Sequence, residues 1–403
     1  MEKTKMFKWL SVVLVVAIIF TLAGCSTANQ ATESASPSQS AAASAAPSAA
    51  AASASESASE SASATPSTES AIQEGDVTNY SEGFDMTKDG FVIGFSNSYN
   101  GNTYRQTEED LFKQLADQLK EAGVISDYTI VESNQDNATQ VSQIQSLVLK
   151  GVDAIIVDPG SPTALNSAIE GAKDAGIPVI IVNGGPVTTD ACYQINFDYK
   201  AAIRPAAQYV VDRLGGKGNV IISRGIAGVE ADTQFYEGMM EVFNANPGIE
   251  VVAEVYSQWT GSVAQQQIAS VLPSLDKVDA IIGEGGDSYG AIQAFLAAGR
   301  EVPLVVLGNR GNDLSWWANE YEKNGYETYS WVTNPGIAAA ALYVACDILR
   351  GNEVPQTMNV GSITITTDDL KANIDYYKAM DADAIANQIY TYKWVQENLY
   401  TQG

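Results

Sequence analysis

Apolar and polar positions follow one rhythm from Gly90 onward, with short apolar runs alternating with longer amphipathic stretches. That alternation predicts strands each followed by a helix, and so parallel sheets covered by helices. The runs 91–95, 128–131, 153–157 and 178–182 read as buried strands. Between the first two, Leu111, Leu115 and Leu119 stand at i, i+4 and i+8 and mark one helix face, which Gly123 ends. The rhythm restarts with 219–223, 251–255, 279–283 and 303–308. The same supersecondary theme thus occurs in two successive groups of about 110 to 130 residues, each of domain size. The expected fold class is α/β, as two doubly wound parallel-sheet lobes.

In open parallel sheets a ligand crevice lies beyond the carboxyl ends of the strands. Those ends carry 96–100 (Ser-Asn-Ser-Tyr-Asn), Asp158-Pro159, Asn183-Gly184-Gly185, Arg224-Gly225, 284–287 (Glu-Gly-Gly-Asp) and 309–312 (Asn-Arg-Gly-Asn). Strand-to-helix turns use Asn, Asp, Ser and Gly for caps and tight turns whatever the function. Six turns rich in amide, carboxylate and guanidinium groups point beyond capping to a polar site.

The amino-terminal 80 residues follow neither period. Residues 1–25 place Lys3, Lys5 and Lys8 before an apolar run, 9–20, and end in Leu22-Ala23-Gly24-Cys25. This is the order of a secretory signal, and its ending resembles a bacterial lipobox, in which Cys25 becomes the lipidated first residue. From 31 to 70, Ala and Ser account for 29 of the 40 residues, with no aromatic or branched aliphatic side chain to offset the entropy of ordering. Residues 26–75 are therefore expected to be a disordered tether, spanning roughly 40 Å on average. Export also bears on the other two cysteines: Cys192 and Cys346 are expected as buried thiols, with a disulfide as the alternative.

Charge and composition narrow the chemistry. The 48 acidic against 22 basic residues give a net charge of −26, which would repel a phosphate backbone, so no nucleic-acid partner is expected. No histidine is present, which excludes Ser-His-Asp and Cys-His catalysis and His-containing zinc sites; three cysteines exclude a four-cysteine site. No cofactor or metal is expected. Glu284 and Asp287 would suit a glycosidase pair only in isolation, because binding clefts also use acids as hydrogen-bond acceptors.

Several segments, in order and spacing, carry a family likeness: Gly94-Phe95-Ser96, 151–156 (Gly-Val-Asp-Ala-Ile-Ile), 175–180 (Ala-Gly-Ile-Pro-Val-Ile), 278–282 (Val-Asp-Ala-Ile-Ile), Tyr289-Gly290-Ala291, and Gly351 to Pro355. The chain from about 90 to 370 resembles the type I periplasmic binding proteins of sugar transporters, the ribose-binding family. The resemblance implies two lobes joined by a three-crossing hinge that close on a ligand, the loaded form docking on a membrane permease. It places lobe 1 at 88–198 plus 334–355, lobe 2 at 199–332 plus 360–370, and a C-terminal extension at 371–403. Crossings are expected near Asp198, near 332–334 and before Ile363, with helix 337–349 returning to lobe 1.

Residue by residue, 96–105 aligns with the family's first ligand loop, and Tyr104-Arg105 fits its aromatic-arginine pair. The family's Asp-Arg pair is replaced by Asn183-Gly184, and its Gly-Phe-Asp-Gly turn by Gly308-Asn309-Arg310-Gly311. An expected arginine is replaced in the Asp232-Thr233 region, and Trp259 stands where an aromatic meets the sugar face. A polyhydroxylated ligand needs short polar groups for its hydroxyls and flat rings for its C–H faces. Asn97, Asn102, Asn183, Glu284, Asp287 and Asn309 are candidates for the first task; Tyr104, Trp259 and Trp331 for the second, with lobe packing as the alternative for each Trp. Arg105 and Arg310 offer rigid donor forks that would also hold the carboxylate of a sugar acid. Asp198 and Asp232 read equally as hinge caps or ligand contacts.

The expected function is an extracytoplasmic, lipid-anchored, monomeric solute-binding protein. It would capture a sugar, polyol or sugar acid for the permease of an ABC importer, touching the membrane only through its anchor and catalysing no reaction. Alternatives are a nucleoside-binding lipoprotein and a sensor that presents its ligand to a membrane receptor.

Overall fold

The computed structural model describes residues 81–183, 185–386 and 390–402. The signal segment, Cys25, the tether and Gly184 lie outside the described residues.

The first lobe is built from β1 (Phe91–Asn97), α1 (Thr103–Ala122), β2 (Ile125–Glu132), α2 (Asn137–Lys150), β3 (Ala154–Asp158), α3 (Asn166–Asp174), β4 (Val179–Val182) and β5 (Tyr193–Phe197). The chain then passes to α4 (Tyr199–Arg213), β6 (Gly218–Arg224), α5 (Glu230–Ala245), β7 (Ile249–Tyr256), α6 (Gly261–Val271), β8 (Ala280–Gly283), α7 (Ser288–Ala297), β9 (Leu304–Val305), α8 (Gly311–Asn324) and β10 (Ser330–Thr333). It returns through α9 (Ile337–Leu349) and β11 (Thr357–Val360), crosses to β12 (Ser362–Ile365), α10 (Thr367–Ala372) and α11 (Ile374–Ala379), and ends in α12 (Tyr392–Asn398).

Two sheets result. One is six-stranded, β2-β1-β3-β4-β5-β11, and every neighbouring pair is parallel. The other is four-stranded and parallel, β7-β6-β8-β9, flanked by the antiparallel pair β10-β12. In each sheet the strand order reverses beside the first strand, between β1 and β3 and again between β6 and β8, which opens a crevice at their carboxyl ends.

Sequence explains the elements. In α1, Asn102 caps the start, Phe112, Leu115, Ala116 and Leu119 are buried, and Gly123 ends the helix at φ 85°, a conformation glycine adopts without steric cost. Phe112 shares the buried face with the leucine series, while Leu111 lies at its edge. Helix α9, apolar nearly all round, is covered on several sides, packing on α1, β3, β4 and α12. Strand β5 escapes the periodicity because its Tyr-Gln-Ile-Asn-Phe sequence alternates instead of forming an apolar run. Cys192 and Cys346 are separate buried thiols.

Three passages between the sheets occur after β5, between β10 and α9, and between β11 and β12. A continuous aromatic seam lies near them: Tyr199 meets Phe235 at 4.8 Å, and Phe235 meets Trp331 at 5.2 Å, both edge to face. Trp331 is 1% exposed in this core.

Candidate functional site between the lobes

A cavity of about 290 Å³ is lined by the carboxyl-end loops of both sheets. Its first wall begins where β1 gives way to α1. The cap at Asn102, whose Oδ1 accepts the Arg105 N–H at 3.0 Å, fixes the turn from which Arg105 projects. The buried guanidinium donates from Nε to Tyr99 O at 3.1 Å and from Nη2 to Ser98 Oγ at 2.8 Å. Its Nη1 lies 3.4 Å from Glu108 Oε2 and is ion-paired with Asp158 Oδ2 at the end of β3. Asn183, in the left-handed region at φ 59°, donates from Nδ2 to Asp158 Oδ2 at 3.0 Å and to Glu108 Oε2 at 3.4 Å. Its Oδ1 accepts from the Tyr104 hydroxyl at 3.3 Å, and its carbonyl accepts from the Tyr199 hydroxyl.

One arginine therefore serves two carboxylates out of reach of water. Burial pushes the Glu108 carboxyl up to about 7, although Arg105 and Asn183 pull it down. Burial raises the Tyr104 phenol as well, with the Glu108 charge adding to the effect.

The second wall repeats the plan at the ends of β6 and β8. Glu284 Oε2 accepts the Gly225 N–H at 3.0 Å and Trp259 Nε1–H at 3.1 Å. Trp259 has φ 52° and follows Gln258 at φ 55°. Two bulky residues in succession there are uncommon, and such strain concentrates at ligand sites. A Cβ on Gly225 would sit 2.1 Å from Trp259 Cε2, so glycine is what admits the ring. Behind this layer Asp232 accepts from the Gly225 N–H at 3.0 Å and from both Nε and Nη2 of Arg224, whose guanidinium lies 4.1 Å from the Tyr236 ring centroid and 5.0 Å from that of Tyr256. Burial, reinforced by the Asp232 charge, holds the Glu284 carboxyl well above the usual range. Arg310 also lines the cavity; burial lowers its pKa against the opposing pull of Asp313 and Asp287.

Three lining side chains retain an unpaired buried polar atom among the described residues: Asp158 Oδ1, Glu284 Oε1 and Arg310 Nε. Two are acceptors, one from each wall; the third is a donor. Buried polar groups ordinarily find partners, so these positions suit ligand hydroxyls.

Of the residues singled out from the sequence, Asn102, Tyr104, Arg105, Asn183, Trp259, Glu284 and Arg310 meet at the cavity. The others stand behind it or outside it. Asn97 is fully buried and turns the chain, its Oδ1 accepting the Tyr99 N–H at 3.2 Å. Asp198 caps α4 through the Ala201 N–H at 2.9 Å, and Asp232 braces the Gly225 turn. Asp287 accepts from the Ser223 hydroxyl. Asn309 is held by Ser330 and donates to Ile363 O at 3.4 Å. Trp331 packs in the core. Arg105 has no free fork for a ligand carboxylate, since its nitrogens already serve Tyr99, Ser98, Glu108 and Asp158.

The structure adds Ser98, Asp158, Tyr199, Phe235, Thr333 and Ile385 to the lining. Asp158 was visible at a strand end. Tyr199 and Phe235 lie on helices and reach the cavity only through packing of the hinge, which no local pattern announces.

The profile of the family described as "Periplasmic binding protein domain" matches residues 93–353. The chain belongs to that family. Among relatives of this periplasmic binding protein, a xylitol-binding protein of Mycolicibacterium smegmatis is 30% identical over 247 residues, covering 60% of this chain and 70% of its own. A ribose import binding protein of Bacillus subtilis is 24% identical, covering 67% and 85%. An ABC transporter solute-binding protein of Thermobispora bispora has a solved structure that superposes with a TM-score of 0.70 at 33% identity, covering 76% of this chain and 94% of its own. The type I fold of two parallel-sheet lobes is shared. Among the described residues, no helix is long and apolar enough to cross a membrane.

Proposed function

We propose that this chain is an extracytoplasmic solute-binding protein that captures a small neutral polyhydroxylated molecule, a sugar or polyol, between its lobes and delivers it to the permease of an ABC importer. The observation that carries the reading is the set of unpaired buried atoms on opposite walls of one cavity, Asp158 Oδ1, Glu284 Oε1 and Arg310 Nε. A hydroxyl both donates and accepts, so a polyol satisfies carboxylate and guanidinium together. Trp259 and Tyr104 supply flat surfaces for C–H faces. The relatives named for xylitol and ribose support the same class.

A sugar acid fits less well. Arg105 is committed to its two carboxylates and has no free fork to offer a ligand anion. The cavity holds its ligand by hydrogen bonds and packing, without covalent chemistry. Export through residues 1–25 and lipidation at Cys25 place the chain outside the cell on a membrane anchor, beside its permease.

The test is the melting temperature of the chain against panels of pentoses, hexoses, pentitols, inositols, sugar acids and nucleosides. A ligand that binds only the folded state raises the midpoint by mass action. Neutral sugars or polyols are expected to raise it. A rise confined to nucleosides or to sugar acids overturns the assignment.

A further inference from the structure

The C-terminal chain lies beyond residue 353, where the family profile ends, and is attached to both lobes. On the second lobe, α11 packs on α8. The chain then runs beside 309–312: Gly311 N–H donates to Ala384 O at 2.8 Å, Asn312 N–H to Ala382 O at 3.0 Å, and Ala386 N–H to Asn309 O at 2.8 Å. A Cβ on Gly311 would lie 2.0 Å from the Asp381 carbonyl oxygen, so this contact requires glycine. On the first lobe, α12 packs on α9, where Asp347 accepts hydrogen bonds from Tyr392 at 3.4 Å and Tyr400 at 2.6 Å. Gln402 donates to Asn359 O at 2.8 Å and accepts the Asn359 N–H at 2.7 Å on the β11 edge.

Between these attachments stands Ile385, 7% exposed and part of the cavity lining. It clusters with Val332 and Ile363, and Tyr104 packs against the group. Its backbone bridges to Arg310. One end of the cavity is therefore an aliphatic wall set beside a guanidinium, to which the C-terminal segment contributes Ile385.

We infer that residues 380–386, held on the second lobe, and 390–402, held on the first, form a fourth connection between the lobes that completes the binding site, and that Ile385 sets specificity for a polyol presenting a C–H or methyl face at that end. The second half rests on the polyol reading above. A ligand hydroxyl turned onto Ile385 and Val332 loses water and gains no partner, whereas a C–H face gains contacts. An apolar wall discriminates modestly, on the order of tenfold to a hundredfold.

The experiment uses the full chain and its Ile385→Ala, Ile385→Asn and Gly311→Ala variants. Calorimetric titration is made with matched pairs: D-ribose and 5-deoxy-D-ribose, D-galactose and D-fucose, xylitol and 1-deoxyxylitol. The native chain is expected to prefer the deoxy member of the pair it binds by about tenfold. Ile385→Asn is expected to remove that preference, and Gly311→Ala to weaken both members by displacing the segment. An unchanged ratio in Ile385→Asn overturns the specificity role. Absence of heat from every pair rejects the polyol reading and the assignment of Ile385 with it.

The connection is read separately, without ligand, by hydrogen exchange across its attachments to both lobes, 382–386 with 309–312 on the second and 392–402 with 357–360 on the first. Protection of both in the native chain, which Gly311→Ala abolishes on the second lobe, supports it; exchange at the rate of an unstructured peptide at either overturns it whatever the titrations give.

Discussion

Removing the Arg105 guanidinium while keeping side-chain volume, as in Arg105→Met, should destabilise the protein by about 3–5 kcal/mol near pH 7.5, because it leaves two buried carboxylates facing each other without their cation. The figure follows from position. Arg105 bonds Tyr99 O at 3.1 Å and Ser98 Oγ at 2.8 Å and pairs with Glu108 and Asp158, both fully buried. The exposed pair Arg213–Glu327, with nitrogen and oxygen 2.8 Å apart, provides the contrast. Arg213→Met should cost under about 1 kcal/mol. Urea unfolding of both variants and the native chain measures the two costs side by side. The pH gives a second handle. The penalty of Arg105→Met arises from unpaired anions, so it should shrink at pH 5, below the raised value of Glu108, where that carboxyl is neutral. A loss under about 1 kcal/mol at pH 7.5, or one equal at both pH values, refutes the reasoning. The sequence offers Arg105 as a donor fork for ligand; the network makes it a structural hub of the wall.

Glu108 is pushed up to about 7 and Asp287 and Asp313 to about 6, in each case mainly by burial. An acid raised on folding binds its proton more tightly in the native state, so stability should fall as pH rises from about 4.5 toward 7. Urea midpoints at pH 5 and 7.5 check this, and a higher midpoint at 7.5 contradicts it. Trp259→Ala should weaken binding of the best ligand tenfold or more, about 1.4 kcal/mol, by calorimetry, with a small change in melting temperature. Trp331→Ala should instead destabilise by about 3–5 kcal/mol and leave the affinity of the folded protein within threefold, because the ring fills the hinge core.

The β-α rhythm was legible because parallel strands buried on both faces read as apolar runs, and the strand ends located the crevice. Asn102 could be named because it follows a strand end that the topology turns toward the crevice, whereas Tyr104 and Arg105, in the first turn of α1, and Trp259 were named by the family resemblance. Asn97, Asn309 and Asp287 are polar residues at the same ends that turn inward to satisfy backbone or serine partners, and a residue's type does not tell which way it turns. Tyr199, Phe235 and Ile385 were hidden for the opposite reason: their sequence neighbourhoods are ordinary helix and coil, and only long-range packing carries them to the site.

The central claim, that the lobes grip one ligand from both sides, is tested most directly by hydrogen exchange with and without the best sugar or polyol. Protection is expected to rise together in 98–105 and 158–160 on one lobe and in 225–231 and 284–286 on the other. Protection confined to one lobe, or none despite saturable binding, would contradict it.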